Sequence, residues 1–221
     1  MSLATLKTKV EQLIEKAQSG DGNEVSNSVI DRTIEHLNYN GEILGDYALR
    51  GCNKLIDINV PNIKTTGLDA IRFCTSLVYV NAPNLTKSAE NCFRECSALV
   101  EVNIPNIEEL GNNALQQTAI TQAKYPKLKR IGRYSFQDCK QLTEVALPAL
   151  TTIESNGFNG CTALAEITFP ATITTIHYNT FANCTNLLDI YVPWAEGAVE
   201  AAPWGATNAT IHYNSDRVVE I

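Results

Sequence analysis

The chain of 221 residues lacks the long apolar segments that mark membrane or exported proteins. No apolar run approaches the ~20 residues that a membrane-spanning helix needs. Charged residues (Lys7, Lys9, Glu11, Glu15 and Lys16) interrupt the first apolar stretch, which excludes the core of a signal peptide. The sequence therefore predicts either no export by that route or a leader that is missing from the printed sequence.

Positive charge and enzyme motifs are scarce as well. The net charge is −7 and the sequence pI is about 5.0, which argues against nucleic acid or an anionic membrane as the main partner. There is no phosphate-binding loop, dinucleotide fingerprint, H-E-x-x-H or G-x-S-x-G motif. His36, His177 and His212 lie far apart, and none stands at catalytic spacing from a nucleophile. We therefore expect no enzyme activity and no cofactor.

Cysteine, by contrast, is plentiful, and six of the seven cysteines recur at a fixed interval. The recurring positions are Cys52, Cys74, Cys96, Thr118 (in place of a cysteine), Cys139, Cys161 and Cys184, with separations of 22, 22, 22, 21, 22 and 23 residues. Such a period is typical of a solenoid. Stacking in register would point these side chains the same way, toward the interior, so we expect buried thiols rather than disulfides or a metal site.

The repeated unit, C-x-x-L-x-x-V-x-L-P at 139–148, predicts the local structure of each turn. Its two apolar positions before the proline alternate with period two, which indicates a short strand with one face in the core, and the proline ends that strand. An aromatic or aliphatic position three residues before the cysteine, such as Phe136, suggests a short helical or 3₁₀ turn on the convex side. The predicted fold is an α/β repeat solenoid of about seven 22-residue units, with a parallel sheet on its concave face.

Four segments follow from this pattern. They are an N-terminal helix and linker (1–24), a capping strand (25–41), the solenoid (42–195) and a C-terminal cap (196–221). The helix carries a heptad seam of Leu3, Leu6, Val10, Leu13 and Ala17, which either packs on the open end of the solenoid or forms a small coiled coil that oligomerises the protein. In the cap, two tryptophans are expected to cover the last core layer and residues 210–213 to close the sheet.

The outward strand positions are the candidate binding residues. We expect them to form a protein-binding face of Asp57, Tyr79, Glu101, Gln122, Lys124, Glu144, Glu166, Asp189 and Tyr191. Three carboxylates in one column (Glu144, Glu166 and Asp189) should be lateral neighbours and repel one another by a few tenths of a kcal/mol each. The stripe is either simply solvated or contacts a cationic partner or divalent cations. An open sheet face has no pocket to desolvate a carboxylate for acid–base catalysis.

Three further features lie outside the acidic column. The fourth unit has lost one residue and its cysteine, and the basic stretch 124–133 that follows is either a solvated edge or a docking patch for a carboxylate-bearing or phosphorylated ligand. Ala146 is expected to face outward. The asparagines after the prolines (Asn62, Asn84 and Asn106) are expected to bond the turn backbone rather than form a site.

The repeat, together with segments such as I-G-R-Y-S-F-Q-D-C at 131–139, resembles the BspA-like leucine-rich repeat. The resemblance implies a bacterial or protist protein, often surface-exposed, that acts in adhesion and protein binding and is not an enzyme. Residues 192–197 and 203–213 are also similar to the terminus of repeat proteins from prophage tail regions of gut Firmicutes.

Two functions remain open on these grounds. The first is a non-catalytic scaffold that binds a protein through the strand-bearing face. The alternative is a structural or receptor-contacting component of a prophage tail, oligomeric through the N-terminal helix. A cell surface or a phage particle as the location follows from the resemblance alone.

Overall fold

The structure is a computed structural model that describes residues 32–198, 200 and 202–221, with the backbone alone at residues 24 and 25. The predicted helix Leu3–Ala17 lies outside these residues, so its packing and any coiled coil stay predictions. The described chain winds into a parallel β-solenoid of about eight turns. Within this part of the chain, no helix has the length and apolar character to cross a membrane.

Each turn contributes a three-residue strand to one side of the solenoid, as the sequence predicts. These strands are β2 (His36–Asn38), β4 (Asp57–Asn59), β6 (Tyr79–Asn81), β7 (Glu101–Asn103), β9 (Gln122–Lys124), β11 (Glu144–Ala146), β13 (Glu166–Thr168), β15 (Asp189–Tyr191) and β16 (Thr210–His212). Neighbouring strands pair in parallel register, so that Ile58 lies beside Val80 and Val80 beside Val102. These central residues are buried, which fixes the flanking residues on the outside.

A second ladder, absent from the sequence-based prediction, runs along another side of each turn. Its two-residue strands are β1 (Glu24–Val25), β3 (Ile43–Leu44), β5 (Thr65–Thr66), β8 (Glu109–Leu110), β10 (Arg130–Ile131), β12 (Thr152–Ile153) and β14 (Thr175–Ile176). Two isolated bridges, both formed by Lys87, join β5 to β8 through Thr65 and Glu109. In the six pairs from β3 to β14, only the second residue is buried, and two residues are too few to show a recognisable period.

The third side consists of turns, and the described residues contain no helix there. In the unit from Gly132 to Cys139, Tyr134 and Asp138 both have φ of 57°, outside the helical region. Alternate N–H groups donate to the next turn of the solenoid, as Phe136 does to the Gly157 carbonyl at 2.8 Å. The others donate to the carbonyl three residues earlier and close four-residue turns within the unit. The predicted helical turn is therefore not confirmed, because the backbone donors that a helix would use internally bond the neighbouring repeat.

The core contains the cysteine and aromatic columns. All seven cysteines are free and buried, as predicted. The thiols also form a ladder: Cys74, Cys96, Cys139, Cys161 and Cys184 each donate to a carbonyl of the preceding turn at 3.1 Å. Burial raises the pKa of Cys92 and of Cys139 to about 12. These two thiols are therefore protonated at neutral pH and poorly reactive.

Aromatic stacking extends the core toward its C-terminal end. Phe136 stacks on Phe158 with ring centroids 4.9 Å apart, and Phe158 stacks on Phe181 at 5.8 Å. Trp204 is 1% exposed and Trp194 packs against the same cluster, which confirms that both tryptophans cover the last layer. Strand β16 pairs with β15 and closes the sheet.

Candidate protein-binding face

The outward side of the three-residue strands is here called the strand face, and all nine predicted binding residues lie on it. Asp57, Tyr79, Glu101, Gln122, Glu144, Glu166 and Asp189 occupy the first position of their strands, and Lys124 and Tyr191 occupy the third. All nine are partly or fully exposed. Ala146, which was expected to face outward, is only 4% exposed. Its side chain is a single methyl group, shorter than those of the flanking Lys124 and Thr168.

The strand face is not one continuous sheet but three hydrogen-bonded ladders. They comprise β2-β4-β6-β7, β9-β11 and β13-β15-β16. The first break falls at the fourth unit, which has lost a residue. The second lies between β11 and β13, so no ladder bonds join the strands of Glu144 and Glu166, although these strands still contact each other, whereas Glu166 and Asp189 do pair. The predicted binding residues are thus spread over three hydrogen-bonded ladders.

Four of the five carboxylates at the first strand position contact basic side chains of the same chain. Lys124 Nζ lies 2.6 Å from a Glu144 oxygen, and Asp57 contacts the His36 imidazole. At the C-terminal end, Arg217 Nη1 lies 3.2 Å from Glu166. The expectation of a repelling acidic stripe is therefore wrong: the partners come from neighbouring turns and from the tail, which a column of aligned repeats does not bring together.

Asp189, at the C-terminal end of the strand face, also contacts a basic side chain of the same chain. His212 Nε2 lies 2.7 Å from Asp189 Oδ1. Among the described residues, Glu101 alone of the five column carboxylates has no lysine, arginine or histidine partner. What is left of the acidic stripe is one free carboxylate, at the end of the first ladder.

The first ladder also carries a row of hydrogen-bonded asparagine side chains. Asn59 donates to Asn38 at 3.0 Å, Asn81 to Asn59 at 2.7 Å and Asn103 to Asn81 at 2.6 Å. Each amide fixes the next, and the row ends where the sheet breaks. This surface is consequently ordered before any partner arrives, with N–H groups left over for a ligand.

An apolar column borders the same ladder, and the sequence analysis missed it. Ile56, Val78 and Val100 stand one residue before β4, β6 and β7, on three successive turns, and are 39%, 43% and 42% exposed. Backbone bonds keep them aligned: Val78 N–H donates to Ile56 O at 2.8 Å, and Val100 N–H to Val78 O at 3.0 Å. The same column continues as Thr121, Thr143 and Ala165, so the apolar surface stops at the break. The signal was readable in the sequence, as three β-branched residues at one repeat position.

The asparagines after the prolines do bond the turn backbone, as predicted. Asn62 donates to the Asn40 carbonyl, Asn84 to that of Pro61 and Asn106 to that of Pro83, each at 2.8 Å. These bonds join successive turns at the edge of the strand face. They are structural, as expected.

The basic stretch 124–133 is largely paired within the chain. Lys129 bonds Glu108 at 2.8 Å and Arg130 bonds Glu154 at 3.1 Å, while Lys127 donates to the Asn106 side chain. Lys124 is paired with Glu144, as described above. Of the five cations, only the Arg133 guanidinium has no partner within the described residues. This distribution favours an internally neutralised edge over a docking patch for an acidic ligand.

The fourth unit leaves an open hollow of about 470 Å³ on the turn side. Its lining residues are Phe73, Thr75, Glu95, Ser97, Gln117, Thr118, Ala119, Asp138, Lys140 and Gln141. Thr118 takes the place of the cysteine, and its hydroxyl donates to the Leu115 carbonyl at 2.8 Å. The chain is one residue shorter between Thr118 and Ile120 than at the same point of the neighbouring units, which accounts for the recess. Within the described residues, no cluster of three or more histidine, cysteine, aspartate or glutamate side chains could hold a metal ion.

The C-terminal end of the strand face is occupied by the chain itself. Tyr191 stacks on His212 with ring centroids 4.4 Å apart and an angle of 12°. The Arg217 guanidinium carbon lies 3.6 Å from the centre of the Tyr191 ring. Tyr191, a predicted contact residue, is therefore covered on both faces, and neither Arg217 nor His212 was recognised as part of the face from the sequence.

The fold and its repeated columns together define a leucine-rich-repeat solenoid. The sequence matches the family described as the BspA type leucine rich repeat region, in six copies, over residues 32–143 and 108–196. Because the match spans most of the 221 residues, the chain belongs to this family.

Solved structures of bacterial proteins are similar to the chain. One is a leucine rich cell surface protein from Faecalibacterium prausnitzii, with a TM-score of 0.64 and 26% identity. The match covers 79% of this chain and 48% of that protein, so this chain corresponds to about half of it. Another is a leucine rich repeat protein of T. pallidum, with a TM-score of 0.61 and 21% identity, covering 76% of this chain and 79% of the other. A comparison with curated protein sequences found no match.

Proposed function

We propose that this protein is a non-catalytic scaffold that binds another protein through the first ladder of the strand face. The observation that carries the proposal is the apolar column Ile56, Val78 and Val100, which is exposed over three aligned turns. Scattered apolar side chains are ordinary on a protein surface, but a contiguous set rimmed by polar groups marks an interaction site.

The surroundings of the column suit a protein partner. Tyr79 lies next to Val78, and its hydroxyl has no hydrogen-bond partner among the described residues, which leaves it free to bond a ligand. Tyrosine is enriched at the centres of protein interfaces. The asparagine row supplies polar contacts at the rim, and the unpaired Glu101 supplies one negative charge.

Order in the free protein favours binding as well. Backbone ladder bonds hold the column, and side-chain bonds hold the asparagines, so little conformational entropy is lost when a partner docks. We infer a partner with an apolar patch flanked by hydrogen-bonding groups. The similarity to a cell surface protein of F. prausnitzii supports a function in adhesion at a cell surface.

Site-specific photo-crosslinking tests the proposal. Benzoylphenylalanine is placed at Tyr79 on the strand face or, as a control, at Tyr178, which is 60% exposed and follows β14 on the second ladder. After irradiation with intact cells and extract of the source organism, adducts are identified by mass spectrometry. We expect a defined protein adduct from position 79 and not from position 178. Adducts formed equally from both positions, or from position 178 alone, would contradict the proposal.

A further inference from the structure

The C-terminal end of the strand face already holds a guanidinium group. Arg217 comes from the tail that follows β16, and its side chain reaches back across the sheet to Glu166 on β13. Its Nη1 lies 3.2 Å from Glu166 Oε2, and its guanidinium carbon lies 3.6 Å above the Tyr191 ring. A flat aromatic surface beside a carboxylate is a combination that recognises a guanidinium.

Neighbouring groups hold the aromatic half of this combination in place. The His212 imidazole covers one face of the Tyr191 ring, so the guanidinium lies on the other. His212 is itself fixed by its 2.7 Å contact with Asp189. The ring therefore stays oriented for stacking when Arg217 leaves. A lysine would supply the charge for Glu166, but it lacks the plane that stacks on Tyr191.

The tail that carries Arg217 is weakly attached. Asn214 and Ser215 donate backbone bonds to Trp194 and Val192, both at 2.9 Å, and within the described part of the chain no backbone bond joins residues 216–221 to the solenoid. Val218 is 78% exposed and Ile221 is 60% exposed. Arg217 and Glu166 are themselves 44% and 57% exposed. Solvent, and hence a competing group, reaches the contact.

We propose that Glu166 and Tyr191 form a binding site for an arginine side chain of a partner protein, which Arg217 of the same chain occupies until the partner displaces it. The inference rests on the proposed function in one respect, that partners bind the strand face. Glu166 and Tyr191 belong to the third ladder of that face, whereas the apolar column borders the first. A tethered Arg217 competes at a high effective concentration, so the free protein admits only partners whose other contacts outweigh this competition.

A peptide titration followed by NMR tests the site on the full chain. The probe is Ac-Gly-Gly-Arg-Gly-Gly-NH₂, and its control is the same peptide with citrulline, which has nearly the shape of arginine but no charge. We expect Arg217→Ala to bind the arginine peptide at least about threefold more tightly than the unaltered chain, because the internal competitor is gone. The ring resonances of Tyr191 and His212 should shift.

A second variant shows where the peptide binds. Adding Glu166→Gln to Arg217→Ala should abolish binding of the arginine peptide, and Glu166 is exposed enough for the fold to persist. The citrulline peptide should bind at least about tenfold more weakly than the arginine peptide. Equal binding by the unaltered chain and Arg217→Ala, equal binding of the two peptides, or shifts that leave Tyr191 unmoved would overturn the proposal. Val78→Ser should leave the titration unchanged, so this site and the apolar column are tested separately.

Discussion

Replacing Phe158 by alanine tests how the solenoid distributes its stability. The side chain is 0% exposed and lies between two stacked rings, Phe136 at 4.9 Å and Phe181 at 5.8 Å. Truncation of a buried phenylalanine costs about 3–5 kcal/mol, and each stacked pair adds about 0.5–1.5 kcal/mol beyond the buried area. We therefore expect a loss near the upper end, about 5 kcal/mol, in the free energy of unfolding.

The loss should also be local, because each turn contacts only its neighbours. Hydrogen exchange should accelerate first at the amides of Ile167 and Ile190, while Val80 and Val102 keep their protection. Phe93→Ala is the matched control, since Phe93 occupies the same column, is fully buried and stacks on no other ring among the residues that the structure describes. It should cost about 1 kcal/mol less than Phe158→Ala and expose the N-terminal turns instead. A loss below about 1 kcal/mol, or uniform acceleration of exchange over all turns, would refute this reasoning.

Three smaller predictions follow from the thiols and the ion pairs. All seven cysteines should resist Ellman's reagent in the native protein and react only after denaturation, and a rapidly reacting native thiol would contradict their burial. Burial raises the pKa of Cys92 and Cys139 from 9.0 to about 12, so above pH 9 the unfolded chain binds fewer protons than the folded chain. The free energy of unfolding should therefore fall as the pH rises from 9 to 12, by up to ~1.4 kcal/mol per pH unit for each thiol. A double alanine variant should show a shallower slope in urea titrations. Glu144→Gln should cost about 0.2–1 kcal/mol by removing the partner of Lys124, whereas Glu101→Gln should be neutral, and equal effects would show that the Lys124 pair contributes nothing.

Much of the fold was readable from the sequence because each repeat position has one physical role. The cysteine, the paired apolar residues and the proline of Cys139–Pro148 repeat those roles in nearly every turn, and the structure places them as expected, except that Val145 is only partly buried. The alignment of columns also identified the outward residues of the strand face correctly, Ala146 excepted.

The second ladder and the turn geometry could not be derived in the same way. A two-residue strand such as Thr65–Thr66 has no period, and its backbone bonds depend on the register between turns. The turn residues with positive φ do have a recognisable pattern in the sequence. Asn91, Asn113, Asn156 and Asn179 share one column, and asparagine is enriched at positive φ.

The charge pairs of the strand face could not be predicted from the sequence for a different reason. Reading Glu144, Glu166 and Asp189 as one acidic stripe ignored partners that come from other columns and from the tail. Lys124 reaches Glu144 diagonally from the adjacent strand, and Arg217 lies 51 residues from Glu166 in sequence. Such pairings depend on side-chain reach and chain reversal, which a repeat alignment does not contain.

The central claim is that the apolar column of the first ladder binds the partner. The most direct measurement compares the affinity of the crosslinked partner for Val78→Ser and for Leu188→Ser, two substitutions of exposed apolar residues at the same repeat position, 43% and 56% exposed. The account predicts that Val78→Ser weakens binding about tenfold or more while Leu188→Ser leaves it unchanged. Equal affinities for the two variants would contradict it.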